Sequence, residues 1–376
     1  MRRFFRFLLL KPVLWAAKKF DSDPDKVKVF DALTRLFNRI SDNPGKLGLL
    51  IDFDLQKDKY IIFSDQHKGA RNGADDFRLA APTYVAALNY YNSHLFSFIN
   101  LGDCEELWEN LLFNVKKHNS EQFAAEKAFV QRDAFIKIIG NHDLYWGNDP
   151  LAGLELEAVF GKKIKAYEGV ILRTVINGRP IRIFCTHGHQ GDANSDGNWF
   201  SKFFISKIWG PLQAYLQINP NEPSNNDYKK TLHNEIMYEW SSEQEDILLI
   251  TGHTHQPVFE SLTHIERLYR QMEIARLKSD AVTMEKIRLE TVAFQKRFDT
   301  LLLDYNKILP TYFNTGCCCF SDGDITGIEI EGGFIRLVKW DTKSGRPERT
   351  LLEEAPLGVI TEAIKKQHVT IFRYRE

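Results

Sequence analysis

The chain has 376 residues, enough for one large domain with insertions or for two domains. Its apolar content of 43% and its charged content of 26% are ordinary for a soluble globular protein. The net charge of -1 argues against a dedicated nucleic-acid-binding surface, so nucleic acid is not an expected partner.

The first 20 residues mix basic side chains with Phe, Leu and Trp. Charges interrupt the apolar run too often for a membrane span, and no clear signal-peptide cleavage site follows. Two alternatives remain: a helix that packs its apolar side on the domain, or a basic and aromatic segment that lies on an anionic membrane surface. We therefore predict a cytoplasmic protein, with peripheral membrane contact through residues 1–20 as the alternative.

Five cysteines are present, three of them adjacent at positions 317–319. An odd number with this spacing does not predict a disulfide framework, so we expect reduced thiols in a cytosolic protein. Pairs of the Cys-x-x-Cys kind are absent. On that ground we predict no thiolate metal site.

Ser22-Asp23-Pro24 predicts the start of a helix, and apolar residues at helical spacing continue to Ile40. Segments 49–55 and 60–63 are predicted strands around a turn at 56–59. From there strands and helices alternate, which predicts a layered α/β fold. The predicted strands are 61–63, 95–101, 135–139, 181–185 and 247–250, and the predicted helices include 76–92 and 121–133.

Two segments interrupt this alternation before strand character returns at 312–316, 326–330 and 334–340. Residues 192–245 carry an aromatic helical stretch, which could be the core of a cap subdomain or a lipid groove. Residues 260–308 are charged and helix-rich, as expected of a packing or oligomerisation element. The predicted units are an N-terminal helical extension with the first strand (1–57), a main domain with the two insertions (58–345) and a C-terminal tail that packs on it (346–376).

Five short polar segments follow predicted strands. They are Asp65-Gln-His67, Gly102-Asp103, Gly140-Asn141-His142-Asp143, His187-Gly188-His189 and Gly252-His253-Thr254-His255. In layered α/β proteins, sites are built at the carboxyl ends of strands. We therefore expect the five segments to converge on one site.

Seven residues in these segments have side chains suited to metal binding. Asp65 and His67 are two apart, which at the end of a strand would place both side chains on one side. Asp103 has two oxygens and can bridge two ions. The other candidates are Asn141, His187, His253 and His255. Mixed nitrogen and oxygen ligands favour Mn, with Fe, Zn or Co as alternatives, over Ca and Mg.

Two divalent ions carry more positive charge than Asp65 and Asp103 neutralise. The excess would attract a phosphate and lower the pKa of a bridging water, the expected nucleophile. His142 projects away from its neighbour Asn141 and could protonate the leaving alkoxide. Glu106 is the first candidate for the carboxylate that holds His142, and Asp143 is the second.

The motifs Asp-x-His, Gly-Asp, Gly-Asn-His-Asp, His and Gly-His-x-His, in this order, resemble those of the calcineurin-like metallophosphoesterase superfamily. The resemblance covers roughly residues 58–345 without the two insertions. It implies a four-layer α/β/β/α fold, a β-sandwich flanked by helices, with a dinuclear site at one edge. It also implies two metal ions with one shared ligand. Asp65, His67, Asp103 and His255 would bind the first ion, and Asp103, Asn141, His187 and His253 would bind the second.

The resemblance also implies roles for two further residues. In relatives with this pattern, the histidine that corresponds to His142 is the catalytic acid. Glu106 stands where protein phosphatases of the family keep an acid that orients this histidine.

Within the superfamily, the run from Gly252 to Pro257 is similar to that of the UDP-diacylglucosamine pyrophosphohydrolases of lipid A synthesis. That family typically has Arg where this chain has His142 and Gln256, so we do not transfer its substrate. We predict a metal-dependent phosphoesterase that hydrolyses a P–O bond. The substrate alternatives are a lipid- or nucleotide-linked phosphodiester or diphosphate, a soluble phosphomonoester or phosphoprotein, and a nucleic acid. A non-catalytic scaffold that binds partners through 260–308 is the last alternative.

Overall fold

The structure, a computed structural model, describes residues 24–72, 75–191, 227–278, 280, 282–285, 287, 308–342 and 345–373. The segment 1–20, with its predicted membrane contact, lies outside the described residues. So do residues 192–226, which include the aromatic stretch of the first insertion, and residues 288–307 of the second insertion. Within the described residues, none of the helices combines the length and the apolar character needed to cross a membrane.

The described helices and strands alternate along much of the chain. The helices are α1 (Lys26–Asp42), α2 (Phe77–Ser93), α3 (Leu112–His118), α4 (Ser120–Gln131), α5 (Tyr145–Asn148), α6 (Ala152–Phe160), α7 (Asp227–Ser242), α8 (His264–Leu277) and α9 (Leu357–Arg373). The strands are β1 (Gly48–Asp52), β2 (Tyr60–Phe63), β3 (Ser97–Leu101), β4 (Phe135–Ile138), β5 (Ala166–Tyr167), β6 (Gly169–Ile176), β7 (Arg179–Thr186), β8 (Ile247–Thr251), β9 (Val258–Phe259), β10 (Leu262–Thr263), β11 (Tyr312–Asn314), β12 (Ile325–Glu331), β13 (Phe334–Asp341) and β14 (Glu348–Pro356).

Two sheets form the centre of the fold. The first sheet has the strand order β1-β6-β7-β8-β11-β9-β10, and the second has the order β14-β13-β12-β2-β3-β4-β5. Strands β2, β3 and β4 are parallel neighbours in the second sheet, and β7, β8 and β11 are parallel neighbours in the first. Their carboxyl ends therefore gather at one edge of each sheet.

The sheets pack face to face, and helices cover their outer faces. On β2, Tyr60 and Ile62 belong to the core between the sheets, whereas Ile61 and Phe63 pack with α2. Helices α2 and α4 cover the second sheet, and α1 and α7 cover the first. This arrangement confirms the predicted four-layer α/β/β/α fold.

The predicted strands around residues 56–59 are present but do not pair with each other. Strand β1 lies in the first sheet, where it runs parallel to β6, and β2 lies in the second sheet. The turn thus carries the chain from one sheet to the other, which apolar periodicity cannot reveal. The hairpin of β6 and β7 turns at Asn177 and Gly178, which both have positive φ, as a tight hairpin turn requires.

Two segments that we predict as an insertion and as a C-terminal tail contribute elements to the sandwich. Helix α7 lies within the predicted insertion 192–245, yet its Trp240 is buried against the first sheet. Strand β14, within the predicted tail, is the edge strand of the second sheet. Helix α9 follows it and adds Ile360 and Ile364 to the core between the sheets.

Two valines on β6 offer a matched test of the core between the sheets. Val170 is fully buried there, whereas Val175 is 64% exposed. We expect Val170→Ala to lower the free energy of unfolding by about 2 kcal/mol, because two buried methyl groups are lost and a cavity remains. Val175→Ala should change it by less than about 0.5 kcal/mol. Denaturant unfolding measures the change in free energy for both variants. Equal changes would contradict the assignment of Val170 to the core between the sheets.

Candidate metal centre

The five polar segments meet where the carboxyl ends of β2, β3 and β4 face those of β7 and β8. Backbone hydrogen bonds join the loops: the amide of Asp65 donates to the carbonyl of Gly102. The amide of His67 donates to the carbonyl of Asp103, and the amide of Gly252 donates to that of His187. The loops of both sheets are thus built into one edge of the sandwich.

Five of the seven predicted ligands have a left-handed backbone. Their φ angles are 53° at Asp65, 49° at His67, 50° at Asp103, 70° at His253 and 56° at His255. The prediction from strand alternation therefore rests on the wrong reason, because these residues lie in loops beyond the ends of the strands. Each such residue costs on the order of 1 kcal/mol or more, so the surrounding contacts must hold it.

Backbone groups surround the two carboxylates of the site. The amide of His142 donates to Asp103 Oδ1 at 2.8 Å, and the amide of His253 donates to Asp65 Oδ2 at 3.0 Å. A Cβ atom at Gly140 would lie 2.1 Å from Asp103 Oδ1, and one at Gly252 would lie 2.5 Å from Asp65 Oδ2. Only glycine permits the loops to come this close to the carboxylates.

The structure brings together the first predicted ligand group. His255 Nε2 lies 3.2 Å from Asp65 Oδ1 and 3.2 Å from His67 Nε2. His67 Nε2 in turn lies 3.7 Å from Asp103 Oδ2. Asp65 is fully buried, and His255 is the most exposed of the group, with 15% of its side chain accessible.

The second predicted group lies on the other side of Asp103. His187 Nε2 is 3.1 Å from Asp103 Oδ2 and 3.3 Å from Asn141 Oδ1. One donor atom each of Asp103, His187 and His253 lies within 4.8 Å of the others. The buried Nε2 of His253 has no hydrogen-bond partner among the described residues.

The charges of the site fit a pair of cations. Burial lowers the pKa of His67, but Glu106 and Asp103 outweigh it and raise that pKa to about 10. Asp103 and Asp65 likewise outweigh burial at His187 and raise its pKa to about 9. At these two rings the carboxylates therefore outweigh burial and favour positive charge. Carboxylates, an amide oxygen and facing imidazole nitrogens form a donor set for borderline metals.

Glu106 holds two histidines at once. Its Oε2 lies 2.7 Å from His142 Nδ1 and 2.9 Å from His67 Nδ1. Burial raises the pKa of Glu106, but His142 and His67 outweigh it and lower that pKa to about 2. The carboxylate is thus ionised and fixes both rings. The contact with His67 links the first ligand group to His142.

The second candidate carboxylate, Asp143, has a different contact set. It accepts hydrogen bonds from the amides of Gly140 at 2.6 Å and Cys104 at 2.9 Å. It therefore ties the loop after β4 to the loop after β3. Asp143 orients the backbone of these loops, whereas Glu106 contacts the His142 ring.

Several residues of the site were missed in the sequence. Trp108 stacks on His142 at a ring distance of 3.9 Å and an angle of 20°. His233, on α7, lies 2.8 Å from the carbonyl of Gly188 through its Nε2. Asn314 Nδ2 donates to the carbonyl of Gly252 at 2.7 Å. The run Asn314-Thr315-Gly316 resembles a short segment of the superfamily, so Asn314 is the one of these three residues that the sequence indicated.

A cluster of buried charges lies behind the site. Glu105 Oε1 is 3.1 Å from Lys68 Nζ, and Glu105 Oε2 is 2.8 Å from Lys137 Nζ. Lys68 also pairs with Glu126, and the indole of Trp146 donates to Glu105 at 2.6 Å. Glu105 is two residues after Asp103, and Lys68 follows His67, so the cluster anchors the ligand loops from behind. Nothing in the sequence pattern indicates that these charges are buried.

The pKa of Glu105 leads to a test of this anchor. Burial raises that pKa, but Lys137 and Lys68 outweigh it and lower it from 4.5 to about 2. The carboxylate therefore stabilises the fold above about pH 4.5 and loses this contribution as the pH falls towards 2. At pH 7 we expect Glu105→Gln to lower the free energy of unfolding by about 3 kcal/mol.

Urea unfolding in a chelating buffer at several pH values measures this contribution. The difference from wild type should narrow as the pH falls from about 4.5 towards 2. The control is Glu155→Gln, which removes a half-exposed pair with Lys116 and should cost less than about 1 kcal/mol. A difference for Glu105→Gln that does not depend on pH would contradict the assigned ionisation.

Comparisons with known proteins come from sequence and from structure. The family model described as calcineurin-like phosphoesterase matches residues 30–257. A comparison with curated proteins found no match.

Solved structures that resemble the chain have low identity to it. A dimetal phosphatase from Danio rerio is 9% identical, with a TM-score of 0.35, over 80% of this chain and 98% of that chain. A conserved uncharacterized protein, a predicted phosphoesterase, from Streptococcus pneumoniae TIGR4 is 11% identical, with a TM-score of 0.29, over 78% and 98%. Vacuolar Protein Sorting 29 from Cryptosporidium parvum is 11% identical, with a TM-score of 0.29, over 80% and 98%. Similarity at this level carries no argument about function.

Proposed function

Because the chain belongs to the calcineurin-like phosphoesterase family, we propose that it is a hydrolase that cleaves the P–O bond of a phosphoester with two divalent metal ions. The observation that carries this proposal is that His67 and His187, from two separate sets of donors, both approach the buried carboxylate of Asp103, while Glu106 holds His142 beside them. Bound ions would attract and polarise the phosphate and lower the pKa of the attacking water. The remaining steps depend on side chains of the protein.

The proposed ligands are the seven residues chosen from the sequence. The ligands of the first ion would be Asp65, His67, Asp103 and His255. Those of the second ion would be Asp103, Asn141, His187 and His253. Asp103 Oδ2 lies 3.7 Å from His67 Nε2 and 3.1 Å from His187 Nε2, which supports the role of Asp103 as the shared ligand. Mn is our first candidate, with Fe, Zn and Co as alternatives.

His142 is the proposed general acid. Glu106 occupies its Nδ1, so Nε2 is the nitrogen that remains to protonate a leaving oxygen. Burial lowers the pKa of His142, but Glu106 and Asp103 outweigh it, so that pKa lies above its ordinary value. A raised pKa favours the protonated ring, which a general acid requires. The stacked Trp108 restricts the tilt of the ring.

For the substrate, we propose a lipid- or nucleotide-linked phosphodiester or diphosphate. Support comes from the segment after Trp108, where Leu111 is 75% exposed and Phe113 is 73% exposed. Exposed apolar side chains three and five residues after the ring stacked on His142 suit a substrate with an apolar group. A soluble phosphomonoester or a phosphoprotein is the alternative. Membrane contact through residues 1–20 and a cytoplasmic location stay predictions.

Two other classes of function are less well supported. A nuclease would need a basic surface, and the net charge of the chain is -1. A non-catalytic scaffold would have no need for two complete donor groups joined at a buried Asp103. Assembly through residues 260–308 stays a prediction.

Hydrolysis of chromogenic phosphate monoesters and diesters with added Mn²⁺ tests the proposed activity. We expect wild-type protein to hydrolyse at least one class. His142→Ala should lower kcat by about 100-fold or more, because the general acid is lost, while the metal content per chain stays the same.

The control is His94→Ala, since His94 is an exposed histidine that contacts only its own helix turn among the described residues. It should retain wild-type activity. If the metal-loaded wild type and His142→Ala are equally inert on both substrate classes, the enzyme proposal fails.

A further inference from the structure

Three of the proposed histidine ligands turn the same ring nitrogen towards the buried carboxylates. His67 Nε2 lies 3.7 Å from Asp103 Oδ2, and His187 Nε2 lies 3.1 Å from the same oxygen. His255 Nε2 lies 3.2 Å from Asp65 Oδ1. Each of these rings therefore offers Nε2 to an ion and directs Nδ1 away from it.

Two of the three rings are held at Nδ1 by an oxygen atom of the protein. His67 Nδ1 lies 2.9 Å from Glu106 Oε2, and His187 Nδ1 lies 2.9 Å from the carbonyl oxygen of Leu101. A histidine that binds a metal through Nε2 keeps its proton on Nδ1 and donates it to a partner of this kind. The partner fixes both the tautomer and the orientation of the ring.

At the third ring, the atom beside Nδ1 is a sulfur. Cys319 Sγ lies 3.7 Å from His255 Nδ1. Because Nε2 is the nitrogen that faces Asp65, this sulfur lies behind the ring and outside the proposed ligand group. The side chains of His255 and Cys319 are both partly exposed, so water competes for Nδ1 unless a side chain occupies it.

The two neighbouring cysteines differ from Cys319 in position. Cys318 packs in the apolar cluster under α2. Cys317 is buried and interacts with both His255 and Cys319. Cys318 therefore offers a matched control, and Cys317 is the alternative partner that an experiment must distinguish from Cys319.

We propose that Cys319 is a positioning residue for the first ion: its sulfur accepts a hydrogen bond from His255 Nδ1 and holds Nε2 towards that ion. The inference rests on the dinuclear centre proposed above. Cys319 would do for His255 what Glu106 does for His67. Because sulfur is a weak acceptor, we infer that His255 is held less firmly than His67.

The test requires the affinity of each ion to be measured separately. Asn141→Ala removes a proposed ligand of the second ion, so this chain should retain the first ion. His255→Ala removes a ligand of the first ion and should retain the second. Each metal-free chain is titrated with Zn²⁺ in competition with a colorimetric chelator, which gives the dissociation constant of the remaining ion. Circular dichroism checks that every variant folds.

In the Asn141→Ala background, we expect Cys319→Ala to raise the dissociation constant of the first ion about tenfold or more, because the His255 ring is no longer fixed. Cys319→Ser should restore the constant to within about threefold, since a hydroxyl oxygen accepts the same hydrogen bond. The control Cys318→Ala should change it by less than about twofold. In the His255→Ala background, Cys319→Ala should leave the constant of the second ion within about twofold.

Four outcomes would overturn the proposal. An unchanged first-ion constant in Cys319→Ala, while the wild type binds two ions, would refute the role of Cys319 and leave the dinuclear centre intact. Equal weakening of both ions would show a general structural effect instead of an effect through His255. Weaker binding in Cys317→Ala alone would refute the choice of Cys319. A wild type that binds no Zn²⁺ would refute the centre itself, and the role of Cys319 with it.

Discussion

Two carboxylates, Asp65 and Asp103, are buried where the edges of two β-sheets meet, and the rest of the site is arranged around them. A buried carboxylate costs several kcal/mol unless charges and hydrogen bonds compensate it. Backbone amides of His142 and His253 supply part of this compensation. Histidines around each carboxylate supply more, and bound cations would complete it. The negative charge that is costly to bury thus also suits these loops to bind cations.

This constraint explains features that otherwise look unrelated. The loops must wrap closely around the carboxylates, which requires glycine at Gly140 and Gly252 and a left-handed backbone at five proposed ligands. Residues with a left-handed backbone persist only where the surrounding contacts fix them. The strands of both sheets, and the buried charges around Glu105, supply that support. Glu106 extends the arrangement outward, since it fixes His67 on the metal side and His142 on the proposed substrate side.

Much of this architecture could be predicted from the sequence, because each polar segment follows a short apolar strand and parallel strand ends share an edge. The four-layer order came from the family resemblance. Pairing between distant strands was not predictable, so the sequence could not show that β1 and β2, on the two sides of one turn, belong to different sheets. The second contact of Glu106 and the stacked Trp108 depend on side-chain orientation, which residue spacing does not encode. Cys319 reaches its neighbours only through tertiary packing, and residues 192–226 lie outside the described part of the chain.

The central claim is that two ions are held in overlapping groups joined at Asp103. The most direct measurement is the metal content per chain. The protein is dialysed against Mn²⁺ or Zn²⁺, and its bound metal is then measured by inductively coupled plasma mass spectrometry. The account predicts two ions in the wild type, about one in Asn141→Ala, and almost none in Asp103→Asn. A wild type that holds at most one ion, or an Asp103→Asn variant that still holds two, would contradict it.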